Sequence, residues 1–180
     1  MQSQYRIYVA CLSSYNNGWL HGKWIDATQG VDHINEEVQT MLKESPVTRE
    51  YDEIAEEWAI HDYELGGVRI DEWESFERVA DIGELLSSGE YPVSVIEHVI
   101  GENQDAGIDE IRDILQESYL GEYEDGAAYA QQFCQETGSD VAEWLESYVD
   151  YQSMARDWVY SGDINIIDNG YKSVYILRRY

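Results

Sequence analysis

Carboxylates are the residues of this sequence whose number and placement point most directly to chemistry. The segment from Glu50 to Asp150, here called the acidic segment, holds 29 of the 37 acidic residues and three of the 11 Lys and Arg residues. The rest of the chain has eight acids and eight bases, so the net charge of −26 resides in this segment. Such a field disfavours nucleic acid and anionic membranes, because binding to phosphates requires Lys and Arg to displace counterions. It favours basic protein grooves, cations, or simply water and salt.

The histidines, cysteines and serines lack the spacings that catalytic or metal sites need. No HExxH motif, Cys/His ligand pair, GxGxxG loop or GxxxxGK[ST] loop is present. Ser13 and Ser14, beside Cys11, lack the GxSxG elbow of a serine nucleophile. The remaining candidates for metal ligands have no partner at ligand spacing: His21, His33, His61, His98 and Cys134. The sequence therefore predicts no catalytic residues, no metal site and no cofactor.

Cysteine content and hydropathy predict the compartment. Two cysteines in 180 residues make no disulfide framework, which is typical of a reducing environment. The first residues lack the basic flank and apolar run of a signal peptide, and no stretch approaches the roughly 18 apolar residues of a membrane span. We therefore expect a cytoplasmic protein that does not contact membranes.

Strand-like segments lie near both ends of the chain. From Tyr5 to Leu12 the run YRIYVACL is β-branched and aromatic, and the turn dipeptide Asn17-Gly18 precedes a second strand within Trp19 to Ala27. Near the other end, INII and YKSVYIL flank Asn169-Gly170, which is the pattern of a β-hairpin. Two small antiparallel sheets are therefore expected.

Between these strands, apolar residues recur at helical spacing and acids occupy the other positions. Asp71 and Glu74 have the spacing of a capping box, which predicts a helix with Trp73 and Phe76 facing inward and a break at Gly83. Pro92 is suited to a helix start. The other predicted helices span residues 32–43, 50–64, 105–119, 127–134 and 139–160, the last as one helix or two.

Together these elements predict an α+β fold, in which an elongated chain of small subdomains has short antiparallel sheets near both ends and acidic amphipathic helices between them. We expect an α+β subdomain at residues 1–66 and an acidic helical subdomain at residues 67–104. An α+β subdomain at residues 105–180 would contain a dimer interface. The glycines that punctuate the pattern place these boundaries.

Four segments carry a family resemblance. The segment IYVACLSSYNNGWLHGKWIDA, from Ile7 to Ala27, closely resembles the opening signature of the ArdA antirestriction proteins. EEWAIHDYE (Glu56 to Glu64), YLGEYEDGAAYA (Tyr119 to Ala130) and YVDYQSMARD (Tyr148 to Asp157) resemble the later signatures, in the same order. The resemblance spans most of the chain.

The resemblance implies a function. It implies a curved homodimer whose acidic surface imitates bent B-form DNA and inhibits type I restriction-modification enzymes competitively, by binding to their specificity and modification subunits. Such proteins are encoded on mobile genetic elements and are stoichiometric inhibitors rather than enzymes. From its charge, this chain is expected not to bind nucleic acid directly. Two alternatives stay open: an acidic binding module or chaperone for basic proteins, and a salt-adapted acidic protein without DNA mimicry. The uneven distribution of charge argues against salt adaptation, which would coat the ends of the chain as well.

Two sets of residues are predicted to contact other molecules. The first consists of acids that would take the place of phosphates: Glu53, Glu56, Glu57, Asp62, Glu64, Asp71, Glu72, Glu74, Glu77, Asp81, Glu84, Asp109, Glu110, Asp113, Glu117, Glu122, Glu124 and Asp125. The second consists of aromatic and apolar residues that would form the dimer interface: Trp144, Tyr148, Tyr151, Met154 and Trp158.

Overall fold

The computed structural model describes residues 4–51, 54–137 and 141–179, which form two compact units, one up to residue 108 and one from residue 109 onward. The elements of the first unit are β1 (Arg6–Cys11), α1 (Leu12–Asn16), β2 (Gly22–Asp26), a 3₁₀ helix (Ala27–Gln29), α2 (Val31–Lys43), α3 (Pro46–Tyr51), β3 (Trp58–Glu64), α4 (Phe76–Ser88) and α5 (Val93–Glu102). Those of the second are α6 (Ile108–Ser118), β4 (Tyr119–Tyr123), α7 (Gly126–Glu136), α8 (Glu143–Glu146), α9 (Tyr151–Ser161), β5 (Ile164–Asp168) and β6 (Val174–Arg178).

The first unit is built on a three-stranded antiparallel sheet with the order β2-β1-β3. The central strand β1 pairs on both sides, with Ile7 opposite Ile25 and Val9 opposite Ile60. The side chains of Ile7 and Val9 are fully buried, as is Ile34 of α2. A hydrophobic core therefore forms around β1, as its β-branched sequence predicts.

Helix α4 packs against the 3₁₀ helix at a glycine. The Cα of Gly83 lies so close to Ala27 that a Cβ at this position would be 2.4 Å from the Ala27 carbonyl oxygen. Gly83 is thus a contact point inside α4, and the helix ends at Gly89, which has a left-handed conformation with φ +70°. The prediction that Gly83 breaks the helix is wrong, because this glycine provides space rather than a turn.

The second unit contains a three-stranded antiparallel sheet with the order β4-β6-β5. Strands β5 and β6 form the predicted hairpin, with Ile166 opposite Ile176. Helices α7 and α9 pack together through aromatic side chains, since the Trp158 ring lies 5.8 Å from that of Tyr129 and 5.2 Å from that of Phe133. These two antiparallel sheets near the ends, with helices in the same chain, confirm the predicted α+β class.

The helix predicted for residues 50–64 is wrong. Helix α3 ends at Tyr51, and residues 58–64 form the edge strand β3, in which Ala59 pairs with Ala10 and Trp58 with Cys11. The apolar residues of this stretch fit a helical face, but pairing with the buried strand β1 satisfies their backbone groups and buries Ala59 and Ile60 as well. Tertiary pairing outweighed the local pattern.

The start of one helix differs from the prediction, and the span predicted as one helix or two contains two. Helix α4 begins at Phe76 and is capped by Ser75, whose Oγ accepts a hydrogen bond from the Arg78 backbone N–H at 3.2 Å. Asp71 lies in the preceding turn, because the backbone N–H of Ile60 donates to the Glu72 carbonyl at 2.9 Å and holds this stretch beside β3. Residues 151–161 form α9, separate from the short α8. The division into three subdomains, including the boundary at residue 66, stays a prediction.

Candidate acidic binding surface

Most of the predicted phosphate-like acids face solvent. Glu53 lies outside the described residues; of the others, 14 are exposed, and Glu74, Asp81 and Asp125 are half-buried. The exposed set is Glu56, Glu57, Asp62, Glu64, Asp71, Glu72, Glu77, Glu84, Asp109, Glu110, Asp113, Glu117, Glu122 and Glu124. Exposure alone does not make a binding surface, so the arrangement of these acids on their elements matters.

Helix α4 presents a row of acids because its apolar residues fix which side faces the core. Val79, Ile82, Leu85 and Leu86 are buried. The α4 row, defined as Glu77, Asp81 and Glu84, has spacings of four and three residues. At 3.6 residues per turn, these three positions fall within an arc of about 60° on the helix surface. The three carboxylates therefore project from one side of α4.

Helix α6 repeats this arrangement with one more carboxylate. Its buried residues are Ile111, Ile114, Leu115 and Ser118. The α6 row, defined as Asp109, Glu110, Asp113 and Glu117, is fully exposed and falls within an arc of about 100°. With a rise of 1.5 Å per residue, the four carboxylates cover about 12 Å of helix axis, or one for roughly every 4 Å. The α6 row is thus the densest line of negative charge along a described helix.

Several predicted acids, among them Glu64, Glu74, Glu122 and Asp125, make contacts within the protein. Glu64 on β3 pairs with Arg6 on β1, with the Nε–Oε2 distance at 2.6 Å and the Nη2–Oε1 distance at 3.1 Å. The hydrogen bond from Arg6 lowers the pKa of the Glu64 carboxyl. Glu74 lies 3.9 Å from the Arg78 guanidinium. Glu64 and Glu74 are therefore partly neutralised by their arginine neighbours.

Glu122 and Asp125 have structural contacts in the second unit. The Glu122 carboxylate on β4 accepts hydrogen bonds from Asn169 Nδ2 at 2.8 Å and from Ser173 Oγ at 2.5 Å, both in the β5–β6 turn. Asp125 caps α7 by accepting from the Ala128 backbone N–H at 2.8 Å. These two carboxylates hold elements of the fold in place, which the sequence pattern did not reveal.

Several exposed acids were absent from the predicted set. On α5, Val95, Ile96, Val99 and Ile100 are buried, and Glu97 faces out with its carboxylate against the Cα of Gly67. Also exposed are Glu90, Glu102, Asp105 and Glu136. The signal that could have found Glu97 was present, since the apolar spacing of α5 is the same kind of pattern that placed the acids of α4 and α6.

The predicted dimer-interface residues divide into two groups. Trp144 and Tyr148 are 73% and 81% exposed. Tyr151 and Met154 are half-buried, with Met154 Sδ 3.9 Å from Cys134 Sγ, and Trp158 packs on α7. Trp144 and Tyr148 are thus accessible to a second molecule, whereas Met154 and Trp158 already pack within their own unit.

Other chemistry-bearing residues have structural positions. Ser14 is buried, and its Oγ lies 2.7 Å from Ser45 Oγ, which in turn is 3.6 Å from Cys11 Sγ. His21 Nε2 lies 2.6 Å from the Met41 carbonyl oxygen. Among residues 4–51, 54–137 and 141–179, no three His, Cys, Asp or Glu side chains are grouped so that they could hold a metal ion. Each helix within these ranges is too short or too polar to cross a bilayer.

Comparison with known proteins identifies the family. No curated protein matches this chain significantly. The model of one protein family, described as antirestriction protein (ArdA), matches residues 7–173. This range contains all four signature segments and every helix from α2 to α9, including the α4 and α6 rows. Because the match extends over nearly the whole sequence, the chain belongs to the ArdA family of antirestriction proteins.

Proposed function

We propose that this protein inhibits type I restriction-modification enzymes by occupying their DNA-binding groove with its acidic surface. The observation that carries the proposal is the α6 row, Asp109, Glu110, Asp113 and Glu117, together with membership of an antirestriction family. The groove formed by the specificity and modification subunits binds DNA phosphates and therefore presents positive charge. A row of fixed carboxylates is complementary to such a groove.

Charge spacing supports DNA mimicry as the means of inhibition. A single DNA strand carries one phosphate for about every 3.4 Å of duplex axis. The α6 row carries one carboxylate for roughly every 4 Å of helix axis, which is close to that spacing. For the chain as a whole, 26 net charges correspond to about 44 Å of duplex at one charge per about 1.7 Å, or on the order of 13 base pairs. This length is an upper limit, because carboxylates on different sides of the helices cannot all face one groove.

The folded helices supply rigidity. The apolar faces of α4 and α6 are buried, so their carboxylates are attached to a backbone that is already ordered. Binding then does not have to order a flexible acidic segment, which lowers the entropic cost of association. Adjacent acids such as Asp113 and Glu117 repel each other by roughly 0.2–0.5 kcal/mol. Burial of residues such as Ile111 and Leu115, at roughly 1.5–3 kcal/mol each, outweighs this repulsion.

Assembly and mode of action follow from the same proposal. The protein acts as a stoichiometric inhibitor rather than an enzyme, and it works in the cytoplasm, where restriction enzymes meet incoming DNA. Trp144 and Tyr148, both exposed on the second unit, contribute to a homodimer interface. A dimer would present about twice the charge of one chain, and its affinity for a basic groove would fall steeply as salt rises.

The decisive experiment is a cleavage assay. A purified type I enzyme is given unmodified DNA in about 0.1 M salt, with the inhibitor at stoichiometric amounts and magnesium in excess. We expect loss of cleavage that is relieved by added DNA, since the two compete for one groove. A magnesium-dependent nuclease of another class, acting on the same DNA, is the control and should be unaffected.

Other outcomes would favour the alternatives. Unimpaired cleavage by the type I enzyme would contradict the proposal. Equal inhibition of both nucleases would indicate withdrawal of magnesium by the carboxylates. Binding to unrelated basic proteins, with no effect on the type I enzyme, would indicate a general acidic binding module.

A further inference from the structure

One large aromatic side chain of the acidic segment is exposed where burial was expected. Trp73 is 62% exposed, although its position in the sequence predicts an inward-facing helical residue. It lies in the turn between β3 and α4. An exposed indole ring contributes little to the stability of the fold, because most of its apolar surface stays in water. An exposed Trp is therefore informative about binding, since Trp is enriched among the residues that dominate protein interfaces.

The turn that carries Trp73 is fixed on both sides. On one side, the Ile60 backbone N–H donates to the Glu72 carbonyl at 2.9 Å, which joins the turn to β3. Across the turn, the Glu74 N–H donates to the Asp71 carbonyl at 3.1 Å. On the other side, Ser75 caps α4. The backbone of Trp73 is thus held in place before any partner arrives.

Aromatic neighbours support the indole ring. The Trp73 ring centroid lies 6.5 Å from that of Trp58, with an angle of 45° between the planes. Trp58 in turn stacks on the buried Phe76 at 4.1 Å and 23°. Trp73 is therefore the outermost ring of a three-ring cluster anchored in the core, and an aromatic face presented in this way loses little side-chain freedom on binding.

The charges near Trp73 indicate the chemistry of its partner. Between Asp71 and Glu77 the chain has four acids and no basic residue. The guanidinium of Arg78, at the start of α4, donates to the carbonyl oxygens of Ala106 at 2.7 Å and Gln104 at 3.2 Å. The same guanidinium lies 3.9 Å from Glu74, whereas Asp71 and Glu72, the two residues that precede Trp73 in the chain, are exposed. An aromatic face flanked by carboxylates attracts a cation, and it favours guanidinium over ammonium because guanidinium is planar and stacks.

We propose that Trp73 is a contact residue for an arginine side chain of the target enzyme's basic groove, with Asp71 and Glu72 attracting that arginine. The inference rests on the proposed function and adds to it a residue that carries no charge. In duplex DNA, base edges lie in the grooves between the rows of phosphates, and the contact of Arg or Lys with guanine is the commonest specific one. Trp73 adds an uncharged aromatic contact to the acidic surface, although it offers a ring face where a base offers an edge.

Two substitutions separate aromaticity from bulk. Trp73→Leu retains an apolar side chain but removes the aromatic ring, whereas Trp73→Phe retains an aromatic ring that is smaller than indole. Tyr171→Leu is the control, because Tyr171 is 87% exposed in the β5–β6 turn, beside Lys172 and distant in sequence from Trp73. Thermal unfolding of all three variants establishes that each is folded before binding is measured.

The first measurement uses peptides and does not depend on the restriction enzyme. Affinities for an oligoarginine peptide and an oligolysine peptide of the same length are measured by calorimetry in about 0.1 M salt. The unsubstituted protein should prefer oligoarginine, and Trp73→Leu should reduce that preference by about 2- to 30-fold, the range of a cation–π contact. Trp73→Phe should retain part of it, and Tyr171→Leu all of it. An unchanged preference in folded Trp73→Leu protein would overturn the inference.

The second measurement uses a purified type I enzyme. Trp73→Leu should weaken binding by a similar factor while leaving the slope of log affinity against log salt unchanged, because no charge is removed. Unchanged enzyme affinity in this variant would also overturn the inference. If the unsubstituted protein does not bind the enzyme at all, the proposed function fails, and the peptide result alone decides whether Trp73 binds guanidinium.

Discussion

Arg6 and Glu64 form a two-point ion pair that joins β1 to β3, with their donor and acceptor atoms 2.6 and 3.1 Å apart. The two residues face each other in the sheet register, so the pair follows from strand pairing rather than from local sequence. Arg6 also lies over the Trp24 ring, with its guanidinium carbon 4.5 Å from the ring centroid. Glu64 therefore belongs to the framework of the first unit as much as to its acidic surface.

This pair predicts a pH-dependent contribution to stability. The Arg6 hydrogen bond lowers the pKa of Glu64 in the folded protein. A lowered pKa means that the contribution is present above the unfolded pKa of about 4.3 and is lost as pH falls through the folded value. Glu64→Gln should therefore lower the urea midpoint near neutral pH, and its difference from the unsubstituted protein should shrink as pH falls below about 4. Glu72→Gln, at an exposed position of the neighbouring turn, is the control; an equal loss in both variants would contradict the prediction.

The α6 row predicts a loss of binding without a loss of stability. Asp113→Asn combined with Glu117→Gln removes two carboxylates and three like-charge pairs, those of Asp113 with Asp109, Glu110 and Glu117, so the helix should be as stable as before or gain up to about 1.5 kcal/mol. Inhibition of a type I enzyme should weaken by about 2- to 30-fold, at roughly 0.2–1 kcal/mol for each carboxylate. The salt dependence of binding should also become shallower. The measurements are inhibition titrations at several salt concentrations and thermal unfolding.

The matched control for this variant is Asp32→Asn combined with Glu36→Gln on α2. This pair has the same spacing and is exposed, but it lies in the charge-balanced part of the chain. Equal loss of inhibition in both double variants would show that overall charge, rather than the α6 row, determines binding.

The close packing at Gly83 predicts that a single added methyl group lowers the stability of the protein. In Gly83→Ala the new Cβ would lie 2.4 Å from the carbonyl oxygen and 2.6 Å from the carbonyl carbon of Ala27. Because these are backbone atoms, α4 must shift, at a cost of about 1–3 kcal/mol in the free energy of unfolding. Gly101→Ala in α5 should instead stabilise the protein by up to about 1 kcal/mol, because the new Cβ would have no atom from another part of the fold within 4 Å. Urea denaturation measures both, and a neutral Gly83→Ala would refute the close packing.

Negative charge introduced at the proposed dimer interface is expected to separate the two chains of the dimer. Trp144→Glu combined with Tyr148→Glu would place two carboxylates in the proposed interface and should shift the sedimentation of the protein from dimer to monomer at micromolar concentration. Tyr171→Glu, with similar exposure, should leave the association state unchanged. A protein that sediments only as a monomer before substitution would end the proposal of a dimer.

Much of the fold could be predicted from the sequence because its signals are local. The buried strand β1, the hairpin strands β5 and β6 and the amphipathic helix α6 follow from the spacing of their apolar residues, and Asn169-Gly170 marks the turn of the hairpin. Residues 50–64 could not be assigned correctly in this way, because β3 forms only through pairing with β1. The position of Trp73 depended on the same pairing, since a hydrogen bond from Ile60 keeps its turn out of α4.

The acidic surface was predictable in part for a related reason. The periodicity of α4 and α6 places Glu77, Glu84 and Asp113 on the outer sides of their helices. Periodicity does not indicate which carboxylates contact a residue from a distant part of the chain. Glu64 meets Arg6 and Glu122 meets Asn169, and both contacts arise only when the strands are paired.

On α6 the residues that build the core and the residues that carry charge are different residues. Ile111, Ile114 and Leu115 face inward, and the four carboxylates of the row face outward. An exchange of Asp for Glu at an outward position alters neither the packing nor the sign of the charge. On this helix, different positions therefore determine the fold and the surface charge. Many different sequences can present the same outward pattern of charge on the same helix.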